Sequence, residues 1–213
     1  LNEVQYKVPQ IFPKQDSKNL FIGVSGVGAR SGFSCLMSDT LPDLQFLDNS
    51  LIFAQFSYAS DTGELSLFES VGKTSNISRS ILQKFQTSYE NSEITEENIF
   101  YYVYALLHSK DYKLKFSNNL LKQTPRIPIP KSFDSFNFYA NAGKELGELH
   151  VGFENAEKYS VSFREGNLLF PTIENPKEFY AVKKMKFLKK GDFSTVIYNK
   201  NLTLEGIPKE AFD

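Results

Sequence analysis

The order of hydrophobic and polar positions predicts strands in both terminal thirds of the chain and helices between them. Residues 1–90 are mainly β with loops, because they carry short apolar runs typical of buried strands. Residues 91–153 place apolar side chains at helical spacing, and residues 154–213 return to short β-favouring runs. The pattern predicts an α+β fold, with a mixed or antiparallel β-sheet region flanking a central helical segment.

The predicted strands are short and separated by polar loops. They cover residues 20–24, 33–37, 51–58, 159–163, 181–188, 194–199 and 202–204. Residues 60–80 are rich in Ser, Gly, Thr and Asn, and this composition predicts a long loop. In the 181–188 strand, Lys184 and Lys186 are expected on one face, with Met185 and Phe187 turned to the core.

Four helices are predicted from apolar spacing and from capping residues. The first covers residues 78–90, with Ile81, Leu82 and Phe85 on one face. Thr95 is expected to cap the second, which ends near His108. Its predicted inward residues are Ile99, Val103, Leu106 and Leu107.

The third predicted helix spans residues 111–121 and the fourth begins after Ser132. Residues 114, 116 and 121 (Leu, Phe and Leu) are expected to turn inward. Pro125, Pro128 and Pro130 forbid a helix and predict an extended connector. The fourth helix runs to about His150, with Phe136, Ala140, Gly143 and Leu146 at helical spacing.

Composition limits the function classes. The 213 residues carry a net charge of −1, from 24 basic and 25 acidic side chains, whereas a non-specific DNA-coating protein is usually strongly basic. Cys35 is the single cysteine, which excludes an intramolecular disulfide and favours a cytoplasmic setting. Hydrophobic runs fall short of the roughly 20 residues that cross a bilayer, so we expect no membrane partner.

The glycine-rich segment 23–32 is the first candidate site. Its glycine spacing differs from a dinucleotide-binding loop, and a strand follows it where that motif requires a helix. One interpretation is a tight β-hairpin. The other is a hairpin tip that presents Ser25, Arg30 and Ser31 to DNA, since arginine is the commonest reader of guanine.

Two basic segments are further candidates. Lys73, Asn76 and Arg79 belong to a polar stretch that is either a solvated loop or a DNA contact. The segment 183–190 carries five lysines and no acid. It is either a lysine-protected edge strand or a strip that contacts phosphates. The candidate residues of that strip are Lys183, Lys184, Lys186, Lys189 and Lys190.

Catalytic patterns are missing from the sequence. His108 and His150 are its only histidines, and neither stands in a metal-binding motif. The spacing of Asp39, Asp43 and Asp48 differs from a common nuclease site, and the methyltransferase tetrapeptide Asn/Asp-Pro-Pro-Phe/Tyr is absent. We therefore predict no catalytic, cofactor-binding or metal-binding residue in this chain.

The helical region resembles one family. Two sequence segments resemble the target-recognition domain of Type ISP single-polypeptide restriction-modification enzymes. They are YYVYALLHSKDYKLKF at residues 101–116 and LLKQTPRIPIP at residues 120–130. A "GFS" segment at residues 32–34 and the stretches PDLQFLDNS and KMKFLKK also match. A looser similarity extends to the recognition domains of adenine-N6 DNA methyltransferases.

The resemblance implies one recognition domain over residues 1–213, cut from a longer bacterial chain whose first domain strands precede Leu1. Its implied partners are double-stranded DNA and the methyltransferase and helicase/nuclease domains of the same polypeptide. S-adenosylmethionine, Mg and ATP would serve the parent enzyme, and none would bind this fragment. The alternative is a structural or protein-interaction module without base readout. A free-standing enzyme is a third hypothesis, for which the sequence supplies no catalytic set.

Overall fold

The computed structural model describes residues 8–14, 16–30, 32–43, 45–58, 72–166 and 173–212. The chain divides into two compact units, Leu1–Ala156 and Glu157–Asp213. Both units combine helices with antiparallel sheets, so the predicted α+β class is confirmed. The single recognition domain predicted over residues 1–213 stays a prediction.

Two small antiparallel sheets and a set of helices build the first unit. The strands are β1 (Phe21–Val24), β2 (Cys35–Ser38), β3 (Leu51–Ala54), β4 (Phe56–Tyr58) and β5 (Lys73–Ser75). The sheet orders are β2-β1-β3 and β4-β5. The helices are α1 (Val8–Ile11), α2 (Arg79–Tyr89), α3 (Glu96–His108), α4 (Lys110–Lys115), α5 (Ser117–Leu120) and α6 (Phe133–Val151), and a 3₁₀ turn follows at Phe153–Asn155.

Helix α3 forms the centre of the first unit. Thr95 begins it with a capping box, in which the Thr95 hydroxyl accepts from the Asn98 N–H and the Asn98 side chain accepts from the Thr95 N–H. Acidic residues in the first turn suit the positive end of the helix dipole. Most of the helix is buried, including Tyr102, Tyr104 and Leu106, because apolar and aromatic residues surround it after its polar first turn.

Helix α6 packs closely on α3, and small residues allow the close approach. Ser132 caps it, as predicted, by accepting from the Ser135 N–H at 3.3 Å. Phe136, Ala140 and Gly143 are buried on the face toward α3. A Cβ added at Gly143 would stand 2.0 Å from the Tyr101 carbonyl oxygen, so the two helix backbones approach at a distance that only glycine permits.

The extended segment from Pro125 to Pro130, called the proline segment below, accepts hydrogen bonds from three tyrosines of three helices. The hydroxyls of Tyr89, Tyr102 and Tyr112 donate to the carbonyl oxygens of Pro130, Pro128 and Arg126 at 2.5 to 2.8 Å. Burial raises the pKa of each phenol, which keeps the hydroxyls protonated as donors. The predicted extended connector is confirmed, and α2, α3 and α4 each fix one of its carbonyls.

The helix predicted over residues 111–121 is wrong in its extent and in two of its three inward residues, whereas Phe116 packs against the core as predicted. It breaks at Phe116, between α4 and α5. Leu114 is 76% exposed and Leu121 is 43% exposed, whereas Tyr112 and Leu120 are buried. The inward residues are Tyr112, Phe116 and Leu120, which are four positions apart, and the Tyr112 hydroxyl also reaches Arg126 O in the proline segment.

The strand predicted over residues 51–58 is interrupted at Gln55. Its two halves, β3 and β4, belong to different sheets. The Gln55 N–H donates to Leu20 O at 2.7 Å, and Gln55 O accepts from the Asn76 N–H. The Asn19 side chain accepts from the Phe56 N–H, so a residue 37 positions away fixes the turn between the two strands.

The second unit contains a four-stranded antiparallel sheet in the order β6-β9-β8-β7. Its elements are β6 (Ser162–Phe163), α7 (Pro176–Phe179), β7 (Lys186–Lys189), β8 (Asp192–Ile197), β9 (Thr203–Glu205) and a 3₁₀ turn at Lys209–Phe212. Leu202, Thr195 and Thr203 are buried. The Asn199 amide donates to Phe179 O and Ala181 O, which ties α7 to the loop after β8.

The strand predicted over residues 181–188 begins late, at Lys186. Met185 is 56% exposed and Phe187 is 39% exposed, so the prediction that both point to the core is wrong. The physical reason is that β7 is the last strand of its sheet and every one of its residues is exposed. The predicted position at a sheet edge is confirmed.

Candidate nucleic-acid interface

The loop between β1 and β2 is a hairpin connection of ten residues, longer than the tight turn considered above. Its base is closed by Ser25, whose N–H donates to Ser34 O and whose hydroxyl accepts from the Ser34 N–H. Gly26 lies against Asn49, where an added Cβ would stand 2.4 Å from the Asn49 carbonyl oxygen. Ser25 is 7% exposed, so the expectation that the tip displays it is wrong.

Arg30 is an exposed, positively charged residue of this loop. Its N–H donates to the Asp48 carboxylate at 2.8 Å, and its side-chain Nε lies 3.7 Å from the same oxygen. The Arg30 side chain is 92% exposed, whereas that of Asp48 is 18% exposed. Asp48 thus anchors the loop and leaves the guanidinium facing solvent. Ser31 lies outside the described residues.

The second candidate group, Lys73, Asn76 and Arg79, was predicted to lie in a loop, but it has more regular structure than that. Lys73 lies in β5, and its Nζ stands 3.6 Å from the centre of the Phe56 ring, a cation–π contact. The Asn76 amide donates to Ala54 O at 2.9 Å and accepts from the Ser57 hydroxyl at 2.7 Å. Asn76 therefore has a structural role in joining the two small sheets. Arg79 is exposed at the first position of α2.

The lysine strip is exposed along its whole length. Lys183 and Lys184 precede β7, Lys186 and Lys189 are its first and last residues, and Lys190 is in the turn to β8. Lys183, Lys184 and Lys186 also line an open groove of about 410 Å³ together with Lys200 and Glu178. The structure brings the five predicted lysines of the strip together on one hairpin and its approach.

An aromatic cluster beside the strip escaped the sequence analysis. Phe187, Phe193 and Phe212 contact one another with ring centres 4.8 to 5.5 Å apart, and we call them the phenylalanine trio. These residues are 39%, 44% and 47% exposed. Phe193 lies close to the β7–β8 turn. In the sequence, an aromatic residue shortly after the lysine-glycine pair at residues 190 and 191 is the signal that could have indicated this cluster.

The histidines form a partly buried cluster with Tyr104. His150 Nδ1 hydrogen-bonds the Tyr104 hydroxyl, which also accepts from the Met37 N–H at 3.0 Å. The His108 and His150 rings lie 5.4 Å apart. Among the described residues, His, Cys, Asp and Glu side chains form no group of three or more that could hold a metal ion.

Titration of His108 should make stability depend on pH. Burial, with the charges of His150 and Lys113 nearby, lowers the pKa of His108 to about 4. The folded state therefore holds the neutral ring, and its stabilising contribution is present above pH 6.5 and is lost as pH falls toward 4. Urea unfolding should show that the free energy of unfolding falls by about 1–2 kcal/mol because of His108. This value is kept small because the ring is partly exposed and solvent weakens the effect.

The matched variant is His108→Phe, which keeps a planar ring beside Tyr104. Its free energy of unfolding should fall less steeply between pH 6.5 and 4.5 than that of the wild type. Equal slopes for the two proteins would show that His108 is not the group that titrates.

Cys35 has no features of a nucleophile. Burial raises the pKa of its thiol to about 12, and the nearby Lys113 offsets this only in part. The thiol is thus protonated at neutral pH, and only a thiolate attacks efficiently. Within the part of the chain that the structure describes, no helix is both long and apolar enough to cross a bilayer.

Two of the candidate groups, Arg30 and the lysine strip, are thus exposed basic side chains on hairpins of an α+β chain. Arg30 lies on the β1–β2 hairpin of the first unit, and the lysine strip lies along the β7–β8 hairpin of the second. The chain belongs to the Type ISP C-terminal specificity domain family, whose model matches residues 1–213. A comparison with curated proteins gave no match.

Solved structures agree with this assignment. A DrdV–DNA complex determined by cryo-EM is 33% identical with a TM-score of 0.77, and the match covers 98% of this chain and 20% of that one. The ATP-dependent Type ISP restriction-modification enzyme LlaBIII bound to DNA is 33% identical with a TM-score of 0.76, over 98% and 13% of the two chains. A nuclease-deletion mutant of the Type ISP enzyme LlaGI with a DNA substrate mimic is 32% identical with a TM-score of 0.70, over 97% and 16%.

This chain therefore spans about an eighth to a fifth of the related chains, between 13% and 20% of their length. The resemblance to a Type ISP recognition domain is confirmed by both comparisons. The looser similarity to recognition domains of adenine-N6 methyltransferases stays a prediction.

Proposed function

We propose that this chain is the DNA target-recognition module of a Type ISP restriction-modification enzyme, and that it carries no catalytic site of its own. The observation that carries the proposal is the family match over residues 1–213, together with related chains whose structures contain DNA. The module would hold a short target sequence in place while other domains of the same polypeptide methylate and cleave.

The charge distribution supports local DNA contacts rather than a broad basic face. The net charge is −1, yet five lysines are concentrated on the strip and Arg30 projects from a separate loop. Exposed lysines suit phosphates, which fix register without reading sequence. The planar fork of arginine suits guanine, whose O6 and N7 accept two parallel hydrogen bonds in the major groove.

The remaining parts of the proposal concern the parent enzyme. S-adenosylmethionine, Mg and ATP would bind its methyltransferase and helicase/nuclease domains, and the enzyme would act in the cytoplasm. The alternative, a structural or protein-interaction module, fits the aromatic-rich composition. It predicts that changes at Arg30 and in the lysine strip leave DNA recognition intact.

The test compares Arg30→Ala with Lys184→Ala in the parent enzyme. Loss of a bidentate guanine contact costs on the order of 1–3 kcal/mol for the cognate site and relaxes one base position. Loss of a phosphate contact weakens cognate and non-cognate DNA about equally and reduces the slope of log K against log salt by roughly 0.9. Binding should be measured by fluorescence anisotropy across a library of single-base variants and at several salt concentrations.

Two controls sharpen the comparison. Arg30→Lys keeps the positive charge but loses the planar guanidinium group. Its affinity for the cognate site should therefore lie between those of Arg30→Ala and the wild type, while discrimination at one base position stays relaxed. Lys144→Ala removes an exposed lysine from α6, and it should leave both readouts unchanged. The assignment fails if Arg30→Ala preserves discrimination while Lys184→Ala changes which sequence is bound.

A further inference from the structure

The distal part of the β7–β8 hairpin is a narrow two-stranded ribbon. Lys189 pairs with Asp192, so the turn contains only Lys190 and Gly191, and Gly191 has a φ of +83°. Strand β9 pairs with β8 at residues 195–197, and the next contact toward the turn is the Ile207 N–H, which donates to Ser194 O at 3.1 Å. The tip that carries Phe193 therefore extends past the last pair with β9, although the 3₁₀ turn at Lys209–Phe212 packs beside it through Phe212.

The ribbon combines positive charge with exposed apolar area. From residue 186 to residue 197 it has three lysines and one acid, Asp192, and Lys183 and Lys184 precede it. The Asp192 carboxylate accepts from the Ser194 N–H at 3.0 Å and from the Ser194 hydroxyl at 2.6 Å, so it is occupied within the hairpin. The residues of the phenylalanine trio are 39% to 47% exposed. Such a surface fits an anionic partner that also offers apolar groups.

The base edges in the major groove of duplex DNA offer one apolar feature to such a surface. The bases of the duplex are stacked, which hides their faces, and the base edges in the major groove present hydrogen-bonding groups and the thymine 5-methyl group. The major groove, about 12 Å wide, also admits a two-stranded β-ribbon. Phenylalanine cannot hydrogen-bond, so its specific contact with an intact duplex is the thymine methyl group.

We infer that the β7–β8 ribbon enters the major groove and that the phenylalanine trio reads thymine, with Phe193 in contact with the 5-methyl group and Phe187 and Phe212 packed behind it, while Lys186, Lys189 and Lys190 hold the flanking phosphates. The inference rests on the proposed function and adds a second base-reading element to it. Arg30 reads guanine, and the trio distinguishes thymine from the bases that lack this methyl group.

The first experiment requires no protein variant. The parent enzyme is titrated with its cognate duplex and with duplexes in which each thymine in turn is replaced by uracil, which removes a single methyl group. Burial of one such group predicts an affinity loss of about fourfold at one or two thymines, and none at the others.

The second experiment assigns the effect to the trio. In Phe193→Ala, the thymine-to-uracil difference should disappear, because the apolar partner of the methyl group is gone. The salt slope should stay as in the wild type, since the lysines remain. Phe193→Leu keeps an apolar side chain and should retain part of the difference. Far-UV circular dichroism of each variant verifies that the sheet is intact.

The possible results separate this inference from the proposed function. Specific cognate binding with equal affinity for every uracil duplex would overturn the inference and leave the proposed function standing. A uracil effect that persists in a folded Phe193→Ala enzyme would also overturn it. Absence of any sequence-specific binding by the wild-type enzyme would overturn both. A folded Phe193→Ala enzyme that has lost only the thymine preference would support the inference.

Discussion

Replacement of Gly143 by alanine is expected to lower the free energy of unfolding by about 3 kcal/mol, at the upper end of ordinary overpacking effects. The new Cβ would lie 2.0 Å from the Tyr101 carbonyl oxygen and 2.8 Å from its carbon. Both atoms belong to the backbone of α3, so relief requires the two helices to separate. The gain in helix propensity, about 1 kcal/mol, is too small to offset this cost.

Gly147→Ala is the matched control on the same helix. Its added Cβ would meet the Met37 sulfur at 2.6 Å, which is part of a flexible side chain that can rotate away. We expect a change within about 1 kcal/mol, because propensity and repacking roughly cancel. Thermal unfolding followed by circular dichroism measures both variants. Equal destabilisation of the two would show that the α3–α6 backbone contact is not the limiting one.

Phe136→Ala should cost about 3–5 kcal/mol, the usual range for deletion of a buried phenylalanine. Phe136 is 1% exposed. The centre of its ring lies 5.3 Å from the ring centre of Phe85, 5.4 Å from that of Tyr102 and 5.8 Å from that of Tyr89. Its removal opens a cavity where α2, α3 and α6 meet. The ring pairs themselves add to the cost of lost apolar burial.

Phe138→Ala offers the control, because the same residue type stands two positions later at 69% exposure. Its effect should remain within about 0.5 kcal/mol. Urea unfolding of both variants gives the comparison. A loss for Phe138→Ala as large as that for Phe136→Ala would mean that the outer side of α6 is covered by contacts missing from this structure.

The helices were predictable because their signals are local. Thr95 and Ser132 cap the helices that they were expected to cap, and Phe136 and Ala140 lie on the predicted inward face. Caps and apolar spacing act within a few residues, so sequence alone contains them. The inward face at Tyr112 was missed, because its contact with Arg126 O lies beyond that range.

The strands and the candidate site depend on distant residues and were less predictable. The break at Gln55 follows from Asn19, and the burial of Ser25 follows from Ser34 across the hairpin. The lysines were found because charge is visible in sequence. The phenylalanine trio was missed because its third member, Phe212, comes from the far end of the unit.

The segment from Pro125 to Pro130 has one more consequence. Three of its carbonyl oxygens already accept from tyrosines, and its three prolines have no N–H to donate. A strand from another molecule would therefore find few groups with which to pair along this extended stretch. The extended segment is therefore protected against edge-to-edge aggregation mainly by its lack of free backbone groups, to which Arg126 adds one exposed charge.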